Sequence, residues 1–489
     1  MNNDQNSDPG LSSACLVEAD SRKRLEDVRS HYDRLAEVRD RYRSKNKYYY
    51  SLLEKQYRYF IPDGKKILEV GCSTGELLNA LKPSLGVGID LSEKSIAVAR
   101  AKFPSLRFQR GEISAIATQD KFDYIILSGL LGELEDIQVF LKDLRRFCHD
   151  DTRVVIEYYS YFWQNILKLG EKIGAKIPQK IQNWITDGDM SNFLTLAGFE
   201  SIKMERCILF PRNIWGLSYV LNRYIARLPV INAFTLNHFV IARPVFEHKQ
   251  EYSVSIIVPC RNEKGNVEAA ITRTPAFGSS QEIIFVEGGS QDGTYEEIER
   301  VIKAYPHKDI KLFKQTGRGK GDAVRVGFAH AQKDILMILD ADLTVSPEDL
   351  PKFYEAIREN RGEFINGCRL IYPMEDEAMR FLNFLGNKFF SLFFTWLLGQ
   401  RFKDTLCGTK VMFSRHYEEL VANRSYFGDF DPFGDFDLIF GAIKLNLKIV
   451  ELPIRYKSRR YGSTQIQRFR HGWLLLQMCF FAMRKIKFI

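Results

Sequence analysis

The chain has no Cys-x-x-Cys pair and no Cys/His cluster at zinc spacing, although eight cysteines occur in its 489 residues. Scattered at positions 15, 72, 148, 207, 260, 368, 407 and 479, they read as reduced thiols of a cytoplasmic protein, not as a disulfide framework. Low-complexity tracts and internal repeats are absent, which excludes disordered, collagen-like and solenoid classes. The first thirty residues are polar and charged, so no signal peptide is expected. Long uninterrupted apolar runs are missing too. FLNFLGNKFFSLFFTWLLG at 381–399 is broken by Asn383, Asn387 and Lys388, and WLLLQMCFFAM at 473–483 has eleven residues, too few to span a bilayer.

Acid is missing from the C-terminal end. After Glu451 there is no Asp or Glu, whereas nine Lys and Arg residues follow, as many as the whole net charge of +9. Such a block can meet nucleic acid, but no nucleic-acid motif accompanies it, and none is expected as a partner. Its interleaving with WLLLQMCFFAM fits an anionic membrane surface, and a protein lying peripherally on the inner, cytoplasmic face of a membrane. The alternative is that both apolar segments are core helices of a soluble enzyme.

What is present is globular: 45% hydrophobic and 27% charged residues, in a chain long enough for two cores. From residue 252 onward strands, polar glycine-bearing loops and helices alternate, in SVSIIVPCRNE, EIIFVEGGSQDGT, GRGKGDAVRVGF and DILMILDADL. This order predicts a parallel sheet with its site at the strands' C-terminal edge. Asp340 and Asp342 follow the apolar run 335–339. Two carboxylates so placed either hold Mg²⁺ or Mn²⁺ against a diphosphate or form a solvated turn before the next helix.

At these motifs residues 252–470 resemble family 2 glycosyltransferases of the GT-A fold, in particular the dolichol- or polyprenyl-phosphate hexosyltransferase branch. The resemblance implies a GDP- or UDP-hexose donor bound by Pro259, Arg261, Glu263, Glu287, Lys320, Gly321, Asp322, Asp340 and Arg369. It makes Asp340 and Asp342 the metal ligands and Asp404, Asp435 and Asp437 the candidate catalytic acids. It also assigns Arg459 and Arg460, in SRRYGSTQI, to the phosphate of a polyprenyl acceptor. Four departures stand out: Arg261 where most relatives have Tyr, Gly288 where the family has the second acid of D-D-G-S, Thr344 where some relatives have Gln, and Gln465 where it has Lys.

Upstream, KKILEVGCSTG at 65–75 runs from an apolar strand into Gly71-x-x-x-Gly75, and GVGID ends in Asp90, nineteen residues after Gly71. Glycines let backbone approach a nucleoside, and an acid after the second strand accepts from ribose hydroxyls. The G-x-G-x-x-G of a dinucleotide loop is absent here. Residues 45–245 resemble the class I S-adenosylmethionine-dependent methyltransferases, a Rossmann-like fold. The resemblance places that cofactor at Glu69, Gly71, Gly75, Asp90 and Glu112. Many relatives have a histidine after the fourth strand; here LGEL supplies Gly132 and Glu133, and no general base is evident. Tyr48, Tyr49 and Tyr50 either cover the cofactor or form the apolar face of an N-terminal helix.

The expected organisation is a polar helical extension (1–44), a methyltransferase-like domain (45–246), a glycosyltransferase domain (252–470) and a basic, apolar tail (471–489). The expected protein is bifunctional: metal-dependent, inverting hexose transfer to a polyprenyl phosphate, plus methylation of a glycan or lipid-linked intermediate. The alternative is transfer to a soluble glycan or protein hydroxyl, beside a non-catalytic methyltransferase-like scaffold.

Overall fold

The computed structural model describes residues 26–116, 118–179, 182–247, 250–372, 381–426, 436–459, 461 and 468–489. The chain divides into two compact units, Met1–Ser201 with Arg206–Pro244, and Ile202–Glu205 with Val245–Ile489.

The first unit is built on seven strands: β1 (Lys66–Val70), β2 (Leu85–Asp90), β3 (Arg107–Arg110), β4 (Phe122–Ser128), β5 (Cys148–Tyr159), β6 (Phe199–Cys207) and β7 (Asn237–Pro244). Their order in the sheet is β3-β2-β1-β4-β5-β7-β6. Pairing is parallel from β3 through β5, and β7 runs antiparallel to β5. Chain order therefore turns back beside β1, which leaves a crevice at the strands' C-terminal ends. The turn out of β1 is made by Gly71 at φ +77, whose N–H donates to Ile89 O at 2.8 Å. Helix Lys47–Phe60 buries Leu53, Tyr57 and Phe60, and both its Tyr57 and its Phe60 ring pack on Phe239 of β7. The segment before it is helical, as its periodicity predicts. It is held by apolar and polar contacts together: Val28, Tyr32 and Leu35 are half-buried and Ala36 is buried, Asp33 accepts from Ser92 Oγ at 2.6 Å, and Asp40 pairs with Lys102 at 2.7 Å.

The second unit also has seven strands: β8 (Val254–Cys260), β9 (Gln281–Glu287), β10 (Asp309–Lys314), β11 (Ile335–Ile338), β12 (Phe364–Cys368), β13 (Lys410–Phe413) and β14 (Ile449–Pro453), in the order β10-β9-β8-β11-β13-β12-β14. The sheet expected to be parallel is mixed, because β13 runs antiparallel to both β11 and β12. Its central strands are continuous apolar runs because both faces are covered. Ile257, Ile284, Leu336 and Ile338 face one core, and Ile256, Val258, Phe285 and Met337 face the other.

The tail does not stand apart from this unit. In helix Arg468–Ala482, Leu475, Met478, Cys479 and Ala482 belong to the same core as Phe394 and Leu397 of helix Phe381–Leu398. Trp473, Leu476 and Phe480 on the first helix, and Phe389 and Leu392 on the second, remain exposed. The apolar strip expected to meet a membrane is thus divided between core and surface. No helix among the described residues is long and apolar enough to cross a membrane. This division predicts opposite outcomes for adjacent leucines. Leu475→Ala should cost about 2–5 kcal/mol in urea unfolding, and Leu476→Ala about 0.5 kcal/mol or less. Equal losses would contradict the packing.

Candidate active sites

In the second unit the chain order reverses between β8 and β11, and most of the residues expected at the site stand around that crevice. Pro259 lies near the end of β8, with Arg261 and Glu263 just beyond; Glu287 ends β9, Asp340 follows β11, and Arg369 follows β12. Lys320, Gly321 and Asp322 open helix Lys320–His330, whose N-terminus favours anions.

Lys320 pairs with Asp340 at 2.6 Å, with the carboxylate still 24% exposed. Burial alone would raise the pKa of Asp340. The charge and hydrogen bond of Lys320, helped by Lys410 and Arg369, hold it below the ordinary value instead. Arg459 binds two loops at once, donating to Glu263 Oε1 at 3.0 Å and to Asp342 Oδ2 at 2.7 Å. Asp342 also accepts from the Thr344 hydroxyl at 2.8 Å, so Thr344 here orients an acid. Two carboxylates with oxygen donors fit a hard divalent cation, and the basic partners already beside them fit the oxygens of a diphosphate.

Arg369 grips Asp404 through Nε and Nη2, both at 2.8 Å, and its backbone N–H donates to the same carboxylate at 2.9 Å. Asp404 is buried at 3% exposure. Burial pushes its pKa up, but Arg369 overcomes this and holds it below the ordinary carboxylate value. A carboxylate so held is a weak base, and it fixes the Arg369 guanidinium. Asp437, similarly, pairs with Arg424 at 2.9 Å. Asp435, Arg460 and Gln465 lie outside the described residues. Asp322 closes its own loop by accepting from the Gly317 N–H at 2.6 Å, and Glu287 accepts from the Ser290 N–H.

Two residues of this site were missed in the sequence. Gly408, in KDTLCGTK, lies so close to the acid that a Cβ there would collide with the Asp340 carboxylate and the Lys320 ammonium. Gln315 fills the space beside Gly288: its Oε1 is 2.7 Å from where a Cβ on Gly288 would stand, and its amide donates to Gly319 O at 2.8 Å. The acid absent at Gly288 is thereby replaced by a neutral amide tied to the basic loop.

In the first unit a cavity of about 730 Å³ opens at the C-terminal edge of the sheet, within the range of small-molecule sites. Gly71, Asp90 and Glu112 of the expected set are in its wall, whereas Glu69 and Gly75 are not. Asp90 accepts the N–H groups of Ser73 at 2.8 Å and Ser92 at 2.9 Å, which holds the glycine loop in place. Glu69 is buried, and that burial, with Glu76 adding its charge, pushes its pKa up to about 8. Gly75, at φ +83, caps helix Glu76–Ala80, and a Cβ on it would lie 2.6 Å from the Phe108 ring. Tyr49 and Tyr50 line the cavity; the Tyr48 hydroxyl instead accepts from Asn222 at 3.2 Å.

Sequence reasoning found no base here, yet the wall holds Glu133 and Glu157. Glu157 is 2% exposed, and burial raises its pKa to about 7 against the hydrogen bonds of Asn237 and Ser128. The same Asn237 amide donates to the Tyr49 hydroxyl at 2.9 Å. Burial raises Glu133 as well, while Tyr32 and Gln179 hydrogen-bond to it. The available signal was Glu157 itself, an acid inside the apolar run VVIEYY.

Both sites have the form of group-transferring α/β domains, with ligand residues gathered where parallel strands end. Residues 255–427 match the family model Glycosyl transferase family 2, and residues 40–203 match Methyltransferase domain. The chain thus joins a methyltransferase domain to a family 2 glycosyltransferase domain. Similar by sequence is the dolichol-phosphate mannosyltransferase of Pyrococcus furiosus, 36% identical over 120 residues, covering 24% of this chain and 33% of that protein. That of Saccharomyces cerevisiae is 36% identical over 116 residues, covering 22% of this chain and 42% of that protein. The matched part is therefore less than half the length of these relatives. Among solved structures, an S-adenosylmethionine-dependent methyltransferase of Thermotoga maritima aligns with 44% of this chain and 99% of its own, at 15% identity and a TM-score of 0.35.

Glu157 makes a prediction about pH. Its folded pKa of about 7 lies above the ordinary 4.5, so the stability linked to its neutral form is full below pH 4.5 and is lost as pH rises to about 7. Glu157→Gln should flatten that part of the profile in chemical unfolding. An unchanged slope between those values would show that Glu157 is not held neutral.

Proposed function

We propose that the second unit transfers a hexose, with inversion, from a GDP- or UDP-hexose to a polyprenyl phosphate. The carrying observation is one sheet edge that gathers Asp340 and Asp342 with Lys320, Arg369 and Arg459. Similarity to the dolichol-phosphate mannosyltransferases supports the acceptor class. Asp340 and Asp342 are the residues that would hold Mg²⁺ or Mn²⁺, which when bound neutralises charge on the departing diphosphate. Lys320 and the start of its helix serve the donor's phosphates. A lipid phosphate is already ionised at neutral pH and needs positive charge, whereas a hydroxyl acceptor needs a base. Asp404 and Asp437 are both tied to arginines, which favours the phosphate acceptor, and Arg459 offers cationic charge at the same edge. Pairing Asp342 with Arg459 in the absence of substrate keeps that charge in place.

The first unit, on our reading, binds S-adenosylmethionine along Gly71, Asp90 and Glu112 and methylates a glycan or lipid-linked intermediate. The bound cofactor supplies an electrophilic methyl group. Glu157, neutral or charged near pH 7, is suited to orient the acceptor or take its proton.

Asp340→Asn with Asp342→Asn should lower sugar transfer by about 100-fold or more while leaving thermal unfolding near that of the parent. Undiminished transfer by this variant in chelator-treated buffer would remove the metal assignment. Gly71→Val places a branched side chain at φ +77, where even a Cβ lies 3.1 Å from Leu130 Cδ1. Calorimetry should show S-adenosylmethionine affinity reduced about tenfold or more; parent-like affinity would move the cofactor elsewhere.

A further inference from the structure

The first unit carries an apolar surface that its own core does not use. Helix Gln164–Lys172 buries no residue. Ile166, Leu169 and Ile173 nevertheless recur on one face of the helical period, 50%, 59% and 69% exposed. A second stretch exposes Trp215 at 91%, Leu217 at 57% and Val230 at 78%. The two stretches touch at Phe234. The Trp163 indole N–H donates to Phe234 O at 2.9 Å, and the Phe162 and Phe234 rings meet edge-on at 5.1 Å. Trp215 and Val230 sit at φ +44 and +69, backbone that bulky and β-branched residues adopt at a cost. The chain accepts that cost while turning apolar side chains outward. Monomeric proteins seldom keep so broad an apolar patch without a partner.

Charge indicates which partner. Residues 158–186 contain one acid, Glu171, which pairs with Lys176, against four lysines; residues 207–246 contain no Asp or Glu against four arginines, of which Arg227 and Arg243 are buried and Arg212 is exposed. Lys168, Lys172 and Arg212 are exposed beside the apolar side chains. Aromatic and aliphatic groups rimmed by a surplus of positive charge complement an anionic bilayer interface. The face also borders the cavity: Trp163, Ile166 and Arg212 belong to the cavity wall.

We propose that this face rests on an anionic bilayer, and that the methyl acceptor is the head of a membrane-borne lipid reaching the cavity past Ile166 and Arg212. The proposal rests on the methyltransferase reading above and narrows its acceptor to molecules presented by the membrane. In that step the acceptor heteroatom bonds to the sulfonium methyl, the carbon–sulfur electron pair returns to sulfur, and the acceptor's proton passes to Glu157 or to solvent. Apolar insertion keeps the lipid's chain in the bilayer, so only its head must cross into the polar part of the cavity.

Backbone hydrogen exchange of the full chain, with and without phosphatidylcholine vesicles containing phosphatidylglycerol, tests this. Exchange should slow several-fold in 161–173 and 214–230 when vesicles are added. Protection confined to 381–399 and 468–489 would overturn the proposal. Protection that appears without vesicles as protein concentration rises would overturn it too, by naming a second copy as the partner. The variant Leu169→Glu with Ile173→Glu alters only exposed side chains. It should lower vesicle partition about tenfold or more, with S-adenosylmethionine affinity in solution unchanged; unchanged partition would also overturn the docking face. A parent chain that binds vesicles through this face but does not bind S-adenosylmethionine would sink the methyltransferase reading and leave the docking face standing.

Discussion

Asp340, Asp342, Glu263 and Asp404 concentrate negative charge at one edge of the second sheet, and that edge depends on the basic side chains that balance it. Lys320 holds Asp340, Arg369 holds Asp404, and Arg459 spans Asp342 and Glu263. Removing one partner leaves the other's charge uncompensated, which costs most at the buried Asp404 and less at Asp340 and Asp342, whose pairs keep contact with water. On the proposed function, the cations that balance these carboxylates are also the groups that would neutralise the donor's phosphates. Gly408 enters as a steric condition on this arrangement, since any side chain there would push Asp340 and Lys320 apart.

The first unit solves a different electrostatic problem. Its cavity wall contains more acids than bases, and burial lifts the pKa of Glu157 to about 7, so that it is partly neutral and partly charged near that pH. Asn237 of β7 ties Glu157 of β5 to Tyr49 on the helix that precedes the sheet, so these three elements are joined at the wall. The glycine loop is secured in turn by Asp90, whose carboxylate is occupied by backbone N–H groups. Asp90 therefore serves loop geometry as well as any contact with ribose.

Local pattern made much of this legible. Short apolar runs that stop at Gly71, Asp90 and Asp340 announce strands meeting a site, because strand, glycine turn and acid are all written within a few residues. Contacts across the fold were not legible in that way. Arg459 and Glu263 are separated by 196 residues, and no spacing rule predicts that an arginine in the SRRYGSTQI motif clasps the loop after β8. Gly408 carries no signal by itself, since its role is to be small beside an acid supplied by another strand. The apolar run 473–483 has no polar face to say which leucine turns inward, so core and surface in it are decided by packing against Phe394 and Leu397. Glu69 and Gly75 match their motif, yet the fold places them outside the cavity wall, one buried in the sheet and one capping a helix. A motif position fixes backbone more surely than it fixes contact.

The central claim is that the charge-balanced edge of the second unit moves a sugar from a nucleotide to a lipid phosphate. Incubating the full chain with a panel of GDP- and UDP-hexoses and a short polyprenyl phosphate, and identifying products by mass, tests it most directly. The account predicts a product heavier than the acceptor by one hexosyl unit, with the matching nucleoside diphosphate released and formation lost on chelation. Hexose appearing only on a soluble glycan or protein hydroxyl, with the polyprenyl phosphate untouched, would contradict it.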